Sequence, residues 1–315
     1  MTHSTVFTSK ADKDFNNNAT AGIVIGESKS RQWKASLALD FSFDTLGTKL
    51  RRTRRNGPLS VQKAFYPEGK DCAHIYLLHP PAGIVSGDEL HVELNLDEHA
   101  HTLITTPGAN RFYRAREDAN IGISKQVQVT TLNLKAHAKG ENFPQETIVY
   151  NGADGFNTVD IHLSQSSVYL GWDITCMGLP SSGKLFTQGQ YSQLNRVFVD
   201  GTLEYHDRIV ITLKNNLLHH PAGLAGNSVF ATFLVYAPQK IDQLQRKAAI
   251  EVMREIVEKQ EAQKHISITD IDGLLVIRYL GNHAEQCKKL FLMLWQVVRP
   301  LTIEKQAAQP RIWYT

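Results

Sequence analysis

Cysteine is scarce: Cys72, Cys176 and Cys287 are the three in 315 residues. They lie far apart and form no CxxC pair. That excludes a disulfide framework and argues for buried thiols in a reducing compartment. Long apolar runs are lacking too, since none approaches the ~18 residues that a membrane-spanning helix requires. The first residues carry no basic-then-apolar leader, so a soluble, cytoplasmic chain without a membrane partner is expected. Nor does one charge dominate. The 34 Lys and Arg against 31 Asp and Glu give a net charge of +3, with the signs mixed along the chain, which points away from nucleic acid. The densest basic run, Arg51-Arg52-Thr53-Arg54-Arg55, precedes Asn56-Gly57-Pro58 and reads as a solvated loop or strand edge.

Motifs for common chemistries are missing as well. There is no dinucleotide GxGxxG, no HExxH and no nucleophile elbow. Gly178-Leu179-Pro180-Ser181-Ser182-Gly183-Lys184-Leu185 fits GxxxxGK, but Leu185 stands where a Mg²⁺-binding hydroxyl belongs. The following Phe186-Thr187-Gln188-Gly189 opens no helix whose N-terminus could meet phosphates. A surface turn is the expectation there.

What is present is strand pattern. His91 to Leu96 alternates, with Val92, Leu94 and Leu96 on one face and His91, Glu93 and Asn95 on the other. Lys34 to Phe41 alternates likewise. Further short strands are expected at 102–106, 125–134, 159–163, 168–172, 193–199 and 207–213, separated by Gly, Asn, Asp and Pro. The chain is therefore mainly β, as a sandwich, barrel or β-helical stack, and periodicity does not choose among these. Residues 1–30 are polar and expected to be disordered, ahead of a single domain over 31–315. Two helices are predicted near the C-terminus, about 240–264 and 282–298. The first would bury the stripe Ile241, Leu244, Ala248, Val252 and Ile256. The second would be capped by Asn282 and ended by Arg299-Pro300. A strand at 273–279 between them makes one β-α-β-α unit on the β body. The apolar tail, Pro310 to Thr315, is expected to dock.

Candidate chemistry rests on carboxylates embedded in apolar sequence. Asp88 follows a glycine turn, Asp173 follows Tyr169-Leu170-Gly171-Trp172, and Asp207 precedes Arg208-Ile209-Val210-Ile211. A buried ionised carboxylate must be paired, hydrated or neutral. Local pairing, for example of Asp207 with Arg208 or His206, is one reading. The other is that the three line a hydrated passage, with His79 and Glu146 ranked lower. The 13 histidines include His99 and His101, which on a strand would share a face near His91. A pair alone is too few for a stable metal site, and none is predicted. Glu146 with an aspartate would suit a β-helical carbohydrate-active enzyme, and the histidines a nickel-storing protein.

Several blocks carry a resemblance: GPLSVQKAFYPE, LLHPPAGIVSGDEL, TLITTPGANRFYR, FPQETIVYNGA, GWDITCMGLPSSGKLF, LLVIRYLG and PRIWYT. Together they resemble the urease accessory family UreD, called UreH in some organisms, from about Trp33 to Thr315. The resemblance implies a β-helix-like two-layer stack with a small helical element. It also implies a non-catalytic maturation factor that binds urease apoprotein and the accessory protein UreF directly, and engages the GTPase UreG through that complex. No tightly bound cofactor is implied, only Ni²⁺ in transit. Oxygen donors hold Ni²⁺ loosely, which suits Asp88, Asp173 and Asp207 as a lining for an ion that is handed on.

Overall fold

The alternation read at Trp33 builds the first strand. Residues 33–117 and 122–314 are described in the computed structural model, so the expected disorder of residues 1–30 lies outside the described residues. Strand β1 (Trp33–Asp44) buries Ala35, Leu37, Leu39 and Phe41 and returns antiparallel as β2 (Gly47–Asn56). The turn between them needs glycine: Gly47 has φ +101°, and a Cβ there would sit 2.1 Å from the Lys70 carbonyl oxygen.

After β3 (Ser60–Val61) and β4 (Cys72–Leu78) the chain winds in coils. The first holds β5 (Asp88–Leu96), β6 (His101–Thr105) and β7 (Asn110–Phe112). The second holds β8 (Gln126–Leu134), β9 (Lys139–Phe143) and β10 (Thr147–Val149). The third holds β11 (Asp154–Leu163) and β12 (Val168–Leu179), which pairs with both β9 and β10. A hairpin to β13 (Lys184–Leu185) leads to β14 (Gln190–Val199), which β15 (Thr202–Thr212) closes antiparallel. Then come β16 (Val229–Tyr236), α1 (Gln243–Lys259), β17 (Ile266–Ile271), β18 (Leu274–Gly281) and α2 (Ala284–Ile303).

Successive coils stack in parallel. β1, β5, β8, β11 and β14 form the middle of one sheet, with β2 and β15 on its edges. β4, β6, β9 and β12 form the facing sheet, which β16, β18 and β17 continue antiparallel. This is the mainly-β, two-layer, β-helix-like stack that was expected. Its corners repeat: Lys139 N–H donates to the Ala100 carbonyl at 2.8 Å, and Val168 N–H to that of Ala138 at 2.9 Å. His99 does not share a strand face with His101. It sits in a corner at φ 63°, its ring stacked 5.0 Å from that of His137 in the next corner, while His101 is buried at the start of β6.

Leucines and valines of both inner faces fill the space between the sheets. A second core, with Phe143, Trp172, Phe233, Phe291 and Trp295, lies between the facing sheet and the two helices. The tail docks there: Trp313 packs on Trp172 and Trp295 and donates to Thr105 Oγ1 at 2.8 Å.

The helices depart from expectation. α1 starts at a capping box, with Gln245 N–H donating to Asp242 Oδ1 at 2.8 Å and Asp242 N–H to Gln245 Oε1 at 2.9 Å. Its buried residues are Ala249, Ile250, Met253 and Val257. Of the predicted stripe, Leu244 is 76% exposed and Val252 46%, because this helix carries apolar residues on two faces and the one with Ile250, Met253 and Val257 packs on the core. α2 starts after His283, while Asn282 Oδ1 accepts from Ser228 N–H at 3.0 Å. It runs through Pro300 to Ile303, since buried Val298, Arg299, Thr302 and Ile303 anchor both sides of the proline. An additional strand, β17, pairs antiparallel with β18, so the unit is not a simple β-α-β-α repeat.

This register predicts that Met253→Ala costs ~2–5 kcal/mol, whereas Leu244→Lys changes stability by less than ~0.5 kcal/mol. Chemical denaturation of the two variants checks it. Equal losses would mean that the helix is turned the other way.

Candidate functional site

Strand alternation decides which side chains look between the sheets. On β8, β11 and β14 the inward phase is apolar toward the C-terminal ends but polar before that. Register places Asn157 beside Gln128 on one side and Gln193 on the other. Two residues on from Gln193, Asn195 is paired with Asp207 of β15. Across the gap, Asp173 of β12, Thr232 of β16 and Arg278 of β18 are likewise in register. Two polar rows therefore face each other.

Hydrogen bonds tie the rows together. Gln193 Nε2 donates to Asp173 Oδ2 at 2.6 Å and to Asn195 Oδ1 at 3.0 Å. Asn157 Nδ2 donates to Gln193 Oε1 at 2.9 Å and lies 3.4 Å from Asp173 Oδ2. Tyr191 OH donates to Gln193 Oε1 at 2.8 Å. Asn157 Oδ1 is buried without a protein partner. At the far end Arg278 Nη2 is 3.4 Å from Asp207 Oδ1, and Tyr205 OH donates to Asp207 Oδ2 at 3.2 Å. Asp207 is thus partnered by Arg278 of the facing sheet and by Tyr205 two residues back on its own strand, not by its neighbours Arg208 or His206.

Two cavities occupy this region. The first, about 250 Å³, reaches from His79 and the 107–111 turn to Asn157 and Asp173. The second, about 370 Å³, is walled by Gln193, Asp207, His265 and Arg278. Asn195 and Thr232 belong to both walls. Each volume is far above the ~15 Å³ that one water needs.

Asp173 is half-buried and lines the first cavity. Burial pushes its pKa up to about 6, opposed only by the Gln193 hydrogen bond. His79, another lining residue, has no partner at either ring nitrogen, and burial lowers its pKa against the pull of Asp88. Asp88 itself lies in neither wall: its Oδ2 accepts the Val85 N–H at 2.9 Å and shapes the turn into β5. Glu146 also lies in neither wall. The structure thus brings Asp173, Asp207 and His79 to the cavities and leaves Asp88 and Glu146 beside them. It adds Asn157, Gln193 and Asn195, which the sequence reading passed over although each is a polar residue in the inward phase of its strand.

The GxxxxGK stretch forms the β12–β13 hairpin, with a single 3₁₀ turn at Pro180–Ser182 and Gly183 at φ 69°. No helix opens there. Among the described residues no helix is long and apolar enough to cross a membrane.

By fold and site, the molecule is a β-helix-like body with a layer of helices and a mostly apolar interior crossed by a polar patch around Asp173 and Gln193. The family model described as "UreD urease accessory protein" matches residues 34–314. Urease accessory protein UreD of Psychromonas ingrahamii is 62% identical over 291 residues, covering 90% of this chain and 94% of its own. Those of a Marinomonas species and Hahella chejuensis are 40% and 33% identical, each covering over nine-tenths of both chains. The chain belongs to the UreD family of urease accessory proteins, which supports a role in urease maturation.

The raised Asp173 pKa makes a pH prediction. An unfolded aspartate titrates near ~3.9, so the stabilising protonated state is fully present below that value. The advantage is lost as pH rises through about 6. Asp173→Asn removes this dependence, and its stability relative to the parent grows from pH 4 to pH 7 by up to ~3 kcal/mol. Melting curves across that range report it. A pH-independent difference would mean that the carboxylate is as well solvated folded as unfolded.

Proposed function

We propose that this protein is a non-catalytic scaffold that binds urease apoprotein and UreF, engages UreG through the complex, and passes Ni²⁺ toward the urease active site along its interior. The observation that carries the reading is a pair of neighbouring cavities that share Asn195 and Thr232 as wall residues and set Asp173 and Asp207 among mostly apolar linings. Oxygen donors from Asp173, Asp207 and the neighbouring amides bind Ni²⁺ weakly enough to release it. His79 stands at the first cavity as a further donor. Asp88 supports the turn beside it.

A glycosidase needs two carboxylates flanking one bond. Among the described residues each cavity wall holds a single one, Asp173 in the first and Asp207 in the second. One histidine per cavity, His79 and His265, likewise suits transit over storage. For UreF the reading offers the C-terminal helices, where Leu244, Ala248 and Val252 form an exposed apolar stripe on α1. Exposed stripes of this kind mark interaction surfaces.

Reconstitution with apourease, nickel, bicarbonate, GTP, UreF and UreG tests the passage. Asp173→Asn and Asp207→Asn are expected to lower urease activation about tenfold, equivalent to ~1.4 kcal/mol, while the complex still assembles. Normal activation by both variants would remove these carboxylates from the route. Separately, Leu244→Glu combined with Val252→Glu is expected to abolish co-purification with UreF, and undiminished capture would exclude this face of α1.

A further inference from the structure

On the outer side of the facing sheet, beneath α2, a different set of donors converges. Cys72 and His74 come from β4, His101 from β6, Glu141 from β9, and Glu68 from the segment before β4. Parallel register does the gathering: Cys72 pairs with His101, and Glu141 lies opposite Leu103, two residues beyond His101. Cys72 Sγ lies 3.5 Å from His101 Nε2 and 3.8 Å from Glu68 Oε1. His101 Nε2 lies 2.9 Å from Glu141 Oε1. The donor atoms of Cys72, His101 and Glu141 all fall within 4.8 Å of one another, and so do those of Glu68, Cys72 and His74. Ligands at ~2.0–2.3 Å from a tetrahedral ion stand ~3.3–3.8 Å apart. Cys72 stands at that spacing from both His101 and Glu68, while His101 and Glu141 stand 2.9 Å apart.

The partners of the carboxylates fit the same picture. Glu141 Oε2 accepts from Trp295 Nε1 at 3.0 Å and Arg299 Nε at 2.9 Å, and Glu68 Oε2 accepts from Arg299 Nη1 at 2.6 Å. The second oxygens are therefore held from behind, as outer-shell partners hold metal-binding carboxylates. The Oε1 atoms face Cys72 and the imidazoles, and both also accept from Arg299 Nη2 at 2.9 Å, a contact that an ion would replace. His74 Nε2 also lies 2.6 Å from Glu68 Oε1, so each carboxylate is shared between an imidazole and the one guanidinium.

We propose that Cys72, His101 and Glu141, with Glu68 as fourth donor, bind a divalent cation of the zinc, cobalt and nickel class beneath α2, apart from the interior cavities. Thiolate and imidazole hold such ions far more firmly than carboxylate and amide oxygens do. This site retains its ion and ties the segment before β4 to β4, β6 and β9 beneath α2.

Titration of the reduced, chelator-treated full chain with Co²⁺ tests it. Expected are one equivalent bound, a near-ultraviolet thiolate-to-cobalt band with strong tetrahedral visible bands, and their displacement by one equivalent of Zn²⁺. Cys72→Ser is expected to lose the thiolate band, while Cys176→Ser and Cys287→Ser keep it. Absence of the band in the parent protein overturns the site, a result that stands even if Cys72→Ser fails to fold. Persistence of the band in folded Cys72→Ser overturns it equally.

Discussion

Polar side chains stacked in register inside a parallel coil are the constraint on which this molecule turns. A polar group buried between sheets must find a partner or hold water. Gln193 meets part of that demand by bridging Asp173 and Asn195, and Arg278 approaches Asp207 at the far end. What direct contacts leave unmet, such as Asn157 Oδ1, lines a cavity roomy enough for water. The polar patch in the interior follows from where amides fall in the strand alternation. The apolar ends of the same strands, including Leu132, Leu134, Ile161 and Leu163, seal the coil and supply its stability.

The facing sheet presents different chemistry on its two sides. Inward it offers Asp173 and Thr232, oxygen donors beside open volume. Outward, under α2, it offers sulfur and nitrogen donors with carboxylates fixed by Arg299, which is fully buried. Burial would raise the Glu141 pKa, but the hydrogen bond from His101 and the charge of Arg299 hold it down to about 2. The same guanidinium reaches Glu68 before β4 and the Gln306 carbonyl after α2, so the network fastens the helical layer to the coil. Alternation along single strands thus separates a side of oxygen donors beside open volume from a side of sulfur and nitrogen donors packed under a helix.

Much of this was legible in the sequence. Ala35, Leu37, Leu39 and Phe41 announced β1, and Asp173 stood out as a carboxylate among apolar neighbours. Asn157, Gln193 and Asn195 were readable in principle, because the apolar ends of β11 and β14 set the phase and counting back by twos reaches each of them. Their meeting was not readable, since it depends on the register between coils some 35 residues apart. α1 misled because Leu244, Ala248 and Val252 make as regular a stripe as the buried Ala249, Met253 and Val257. Pro300 misled because packing on both sides of it outweighs the local cost. His99 misled because a strand assignment ran one corner too far.

The central claim is that the two cavities act as one route. Thr232 belongs to both walls and stands opposite Asp173 in the β12–β16 ladder, so Thr232→Phe narrows the space between the cavities while both carboxylates stay in the chain. The direct test is nickel-dependent urease activation by complexes carrying this variant, with assembly checked by size-exclusion chromatography. The account predicts intact complexes whose activation falls about tenfold. Undiminished activation would show that the ion does not travel through this interior.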